Sequence, residues 1–85
     1  MTDEQPPAGL LRNVSVRRLI RALERDGFQF RTRQGSQRVY RHADGRRVVI
    51  HYHRSDDTLP PHVLRHLLAG TRWAEDHLRR LKLLK

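Results

Sequence analysis

The residue pattern points to an α+β arrangement of one helix, a three-stranded antiparallel sheet, then one or two helices, with the helices on one sheet face. Its grounds are three. Val16, Leu19, Ile20 and Leu23 recur at the spacing of one helical face. Two strand-like stretches flank Ala43-Asp44-Gly45, a sequence with the turn chemistry of a hairpin. A second apolar stripe, Val63, Leu64, Leu67 and Leu68, follows Pro60-Pro61. Eighty-five residues make one domain with a modest core.

Residues 1–13, with Pro6-Pro7 and Gly9, show no sustained period and read as a flexible lead-in to a domain spanning 14–85. Ser15 caps the first helix, which puts Arg17, Arg18, Arg21 and Arg25 off its apolar face. Gly27 ends it, and Phe28 folds back on Leu23 as the hydrophobic contact of the stop motif. Phe28 to Arg33 alternates apolar with polar, which predicts a first strand with both phenylalanines on one face.

Strand two is expected from about Ser36 to His42, and strand three from about Arg46 to His53. The link between them admits two registers. A three-residue loop with Gly45 left-handed sets Gln37 opposite His51 and Tyr40 opposite Val48; a two-residue turn on Asp44-Gly45 sets Gln37 opposite Tyr52. The three-residue loop is preferred, because it gathers Tyr40, Val48, Ile50 and Tyr52 on one buried face. It leaves Gln37, Arg41, Arg47, His51 and His53 on the open one. A helix from Pro60-Pro61 to Gly70 and a last one from about Arg72 to Lys82, carrying Trp73, Leu78 and Leu81, complete the order.

The net charge of +9 is concentrated rather than dispersed: residues 12–54 hold twelve arginines against Glu24, Asp26 and Asp44. Sixteen of the eighteen basic residues are arginine, whose planar fork binds a phosphate through two hydrogen bonds. An anionic polymer is the natural partner, and Arg17, Arg18, Arg21, Arg38, Arg41 and Arg47 are the expected contacts. The absence of cysteine excludes disulfides, a thiolate nucleophile and cysteine-ligated zinc, and fits a cytoplasmic protein. No apolar run is long enough for a membrane span, so no membrane association is expected.

The helix end Leu23-Glu24-Arg25-Asp26-Gly27-Phe28, the Gly35-Ser36 pair with Tyr40 beyond it, the Asp44-Gly45-Arg46 hairpin and the strand Val48 to His53 resemble the HicA (YcfA-like) toxins of bacterial toxin–antitoxin systems. The resemblance runs from about Ser15 to Trp73. It implies a double-stranded-RNA-binding-domain-like fold, a metal-independent endoribonuclease acting on messenger RNA without a cofactor, and a HicB-like antitoxin partner. It also implies a catalytic histidine directly after Gly35-Ser36, where this chain has Gln37, and it matches His53 to a family histidine. His51 stands where the family usually has proline.

An imidazole exchanges a proton near neutral pH, whereas an amide only donates and accepts hydrogen bonds, so Gln37 can hold a phosphate or ribose hydroxyl but cannot take its proton. His51 and His53 are the candidates for an inherited acid or base role, against the plainer reading of solvated strand histidines. His62 and His66 stand one helical turn apart, yet Val63 occupies the position after the first histidine where a zinc hydrolase places its glutamate; no metal is expected. The aromatic residues Trp73, Tyr40, Tyr52, Phe28 and Phe30 lie in phase with apolar stripes and are expected in the core. Two other classes stand beside a toxin ribonuclease: a non-catalytic nucleic-acid-binding module on the same basic face, and a protein-interaction adaptor.

Overall fold

A computed structural model describes Leu11 and residues 14–83. The rest of the expected lead-in lies outside the described residues; Leu11 itself is buried in the core. The elements run α1 (Val16–Asp26), β1 (Gln29–Gln34), β2 (Gln37–Arg41), β3 (Arg47–His51), α2 (Pro61–Thr71) and α3 (Glu75–Arg80). The sheet is antiparallel in the order β1-β2-β3.

Helix α1 starts and stops for the expected reasons. The Ser15 side chain accepts from the Arg18 amide, Gly27 is left-handed at φ 104°, and the Phe28 N–H donates to the Leu23 carbonyl at 2.9 Å. Its first turn is also tied to the chain leaving β3, since the Val16 and Arg17 amides donate to the carbonyls of Asp57 and Ser55, each at 2.8 Å. Val16, Leu19, Ala22 and Leu23 are fully buried. They share one core with Phe28, Tyr40, Val48, Ile50, the leucines of α2, Trp73 and Leu78. Burial there holds the Tyr40 hydroxyl above its ordinary pKa.

The β2–β3 hairpin adopts the three-residue register, with Gln37 paired to His51 and Tyr40 to Val48. Gly45 sits at φ 100° and donates its amide to the His42 carbonyl at 3.0 Å. Several expectations are corrected. Phe30 is 51 % exposed rather than buried. It faces the same side as its partner Tyr40 and packs edge-on to that ring at 5.6 Å, but β1 is the edge strand remote from β3, the strand against which α2 packs. A bulge between Phe30 and Thr32 also breaks the simple alternation of β1.

Strand β3 ends at His51, two residues early, so His53 is not held in the ladder. Helix α2 runs through Gly70 to Thr71 and stops at Arg72, which is left-handed at φ 61°. Gly70 therefore serves close packing rather than termination: a β-carbon there would meet the Arg47 carbonyl oxygen at 2.9 Å. The last helix is shorter than expected, because Trp73 and Ala74 stay outside it, Ala74 with an extended backbone, while the Trp73 indole N–H reaches Asp26 at 3.0 Å.

Candidate functional site

Gly35 and Ser36 are the turn between β1 and β2 rather than the start of β2. Gly35 lies at φ 58° while Ser36 keeps a negative φ, the pattern of a two-residue hairpin with glycine first. No atom lies within 4 Å of where a Gly35 β-carbon would stand, so the requirement there is for the backbone angle alone. The turn places Gln37 at the head of the central strand, between Gln34 on β1 and His51 on β3.

The register then fixes the whole open face as three rows. Gln34, Gln37 and His51 form one, Thr32, Val39 and Val49 the next, and Gln29, Arg41 and Arg47 the third. At both ends of the hairpin the hydrogen bonds fall on even-numbered residues, from Tyr52 N–H to the Ser36 carbonyl at 3.1 Å and from His42 N–H to the Arg46 carbonyl at 2.9 Å. The β2–β3 pairs on the open face are consequently the non-hydrogen-bonded ones, whose Cα atoms approach to ~4.5 Å and whose side chains are closest. Gln37 and His51 are such a pair. Gln37 is half-buried and His51 exposed.

Other residues named from the sequence go elsewhere. His53 is exposed, beyond the end of β3. Arg38 faces the helical side, pairing with Ile50; its guanidinium lies 4.1 Å from the Tyr52 ring centroid and donates to the carbonyls of Ser36 and Tyr52. On α1, Arg17 donates to the Ser55 hydroxyl and Arg18 to the Lys82 carbonyl at 2.8 Å, while Arg21 is exposed. These three belong to the helical layer. Arg41 and Arg47 alone of the named arginines share the open face with Gln37. His62 and His66 line a shallow depression on α2 with Arg65 and Ala69, and no group of three or more metal-ligating side chains occurs among the described residues.

Sequence reasoning missed the role of Arg46. Its guanidinium pairs with Asp26 at 3.0 Å and Asp44 at 2.7 Å, donates to the Thr71 carbonyl, and stacks 4.9 Å from the Phe28 centroid. Beside it, His42 Nδ1 accepts from the Asp44 amide, so its Nε2–H donates to the Asp26 carbonyl at 2.7 Å. This cluster locks the β2–β3 turn to the ends of α1 and α2. The Asp44 carboxyl is held below the usual carboxylate range, first by the backbone N–H of Arg46 and then by its side chain. Only the turn was legible in the residues, since Asp26 and Thr71 are distant in sequence.

A family model described as HicA toxin of bacterial toxin-antitoxin matches residues 16–71, from the first residue of α1 to the last of α2. No curated protein matches the chain. No described helix is long and apolar enough to cross a membrane.

Proposed function

The chain belongs to the HicA toxin family of bacterial toxin–antitoxin systems, and from that premise we propose that it is an RNA-binding toxin domain whose endoribonuclease activity is lost or much reduced by Gln37. The observation that carries this reading is the position of Gln37. It follows the Gly35-Ser36 turn, heads the central strand and opens to the solvent-facing side of the sheet next to His51. In the family this chain resembles, a histidine in that position acts as base on the ribose 2′-hydroxyl or as acid on the leaving oxygen of messenger RNA, without metal. Gln37 retains the hydrogen-bonding half of that role: it can orient a phosphate or a 2′-hydroxyl but cannot carry the proton.

The test is a ribonuclease assay in the presence of a chelator on the chain and on Gln37→His. The chain itself should be inactive within detection and Gln37→His should cleave, with a gain of the ~10² to 10⁴-fold typical of general acid–base catalysis. Equal cleavage by the two proteins would sink the assignment of position 37 and turn attention to His51 and His53. The partner on this reading is a HicB-like antitoxin in the cytoplasm, drawn by acidic surface to the arginine-rich domain. Gln37 also favours a second reading, a nucleic-acid-binding module with no catalytic task. On that reading Gln37→His binds RNA as the parent does and cleaves nothing.

A further inference from the structure

Arg41 and Arg47 are directly opposed across β2 and β3 on the open face, as a non-hydrogen-bonded pair. Like charges so placed destabilise a sheet. The molecule contains a second opposed arginine pair, Arg33 and Arg38, and there the conflict is relieved: Arg33 donates to the Gly35 carbonyl, and Arg38 to those of Ser36 and Tyr52. Among the described residues neither Arg41 nor Arg47 makes an ion pair or a side-chain hydrogen bond, and both are exposed. The next row along holds Val39 and Val49, both half-buried, with Thr32 beside them.

Resting on the RNA-binding reading above, we propose that a single-stranded RNA lies across the open face with one phosphate seated between Arg41 and Arg47. The adjoining sugar and base rest on Val39 and Val49, and the strand leads on to Gln37 and His51. Two guanidinium forks a strand apart suit one phosphodiester, whose two free oxygens accept from both and whose charge cancels their repulsion. Successive rows are two residues apart, so the arginine row stands roughly 13 Å from the Gln37 row. No single phosphate touches both rows, and a ligand that uses the whole face must be an oligonucleotide.

The repulsion gives a test with two readouts on the full chain: thermal melting, and anisotropy with a labelled oligouridylate against uridine monophosphate. Arg41→Glu converts repulsion into attraction and should raise Tm by roughly 2 to 6 °C at low salt, an increase that fades as salt rises. The same variant should weaken oligouridylate binding ~10-fold or more beyond the loss in Arg65→Glu, which makes the same charge change on the helical side, and should reduce the salt slope by about 0.7 for the phosphate released. Arg41→Glu with Arg47→Glu restores like charges, so Tm falls back while binding stays lost. The monophosphate should bind much more weakly than the oligomer.

Arg41→Glu binding no worse than Arg65→Glu, an unchanged Tm, or a monophosphate bound as tightly as the oligomer would each overturn the proposal. So would normal RNA binding combined with loss of an acidic antitoxin, which would assign the pair to a protein partner. Binding is read without cleavage, so the outcomes separate: an inactive Gln37→His with Arg41-dependent binding removes the ribonuclease reading alone. An active Gln37→His that tolerates Arg41→Glu removes this one alone.

Discussion

The two faces of the sheet use arginine in opposite ways. On the helical side Arg46 is enclosed, with 15 % of its side chain exposed, and each contact it makes is intramolecular: two carboxylates, a helix-end carbonyl and an aromatic ring. Arg38, on the same side at the other end of β2, is taken up by two carbonyls and the Tyr52 ring. On the open side Arg41 and Arg47 are directly opposed, and among the described residues neither side chain makes an ion pair or a hydrogen bond. A guanidinium whose donors are already satisfied contributes to the fold, whereas one held beside a like charge with its donors free is available to an external anion. Side-chain direction, set by a register of period two, separates these roles within ten residues of chain.

The largest stability effect expected from this contrast is Arg46→Ala. It leaves Asp26 and Asp44 without their shared cation and removes a hydrogen bond to the end of α2, a loss of about 2 to 4 kcal/mol after allowance for partial exposure. Arg41→Ala should change stability by no more than ~0.5 kcal/mol, and in the favourable direction. Urea unfolding of both variants compares the faces directly, and equal losses would break the distinction.

Gly70→Ala comes next. In an ordinary helix interior that change gains up to ~1 kcal/mol, but here the new methyl meets the Arg47 carbonyl, so a loss of about 1 to 3 kcal/mol is expected. A gain would mean that α2 does not approach β3 so closely.

Gly45→Ala tests the register that creates the open face. No atom blocks a β-carbon there, so the expected loss of about 1 kcal/mol is purely the cost of φ 100° for an L-residue. An unchanged unfolding midpoint would argue against the left-handed turn and against the Gln37–His51 pairing with it.

The smallest effect is the pH dependence carried by Asp44. Its folded carboxyl lies below the ordinary carboxylate pKa, so its contribution is complete above the unfolded value of ~3.9 and is lost as pH falls through the lower folded one. Asp44→Asn should be slightly less stable than the parent near neutrality and should lose less on acidification. Denaturation curves taken between neutral and strongly acid pH measure the difference, and parallel acid limbs would remove Asp44 from the turn's account.

Much of the fold was legible because local chemistry and global packing agree. Ser15, Gly27 and Phe28 carry the ends of α1 in their own sequence, and the hairpin register followed from asking which alignment buries Tyr40 with Val48 and Ile50. Less of the site was legible. Phe30 has the right spacing for the core and is exposed, because burial depends on what lies opposite and β1 is the edge strand, one strand removed from the β3 that α2 packs against. Arg38 looked equivalent to Arg41, yet the pleat directs the two to opposite sides. His51 and His53 looked like one strand face, but the ladder stops between them.

The order of elements, the basic character of residues 12–54, the turn residues and the presence of an amide rather than an imidazole at position 37 could all be read from the chain alone. Each of these rests on interactions within a few residues or on composition, which one chain displays directly. Packing is what reveals that Arg46 bridges Asp26, Asp44 and the end of α2, and that Gly70 is set by the backbone of β3. It also reveals that Arg41 and Arg47, already expected on the face that Gln37 heads, have no ion-pair or side-chain hydrogen-bond partner among the described residues. Those outcomes depend on which distant segments are brought within a few ångströms of each other, and that is a property of packing rather than of any local pattern.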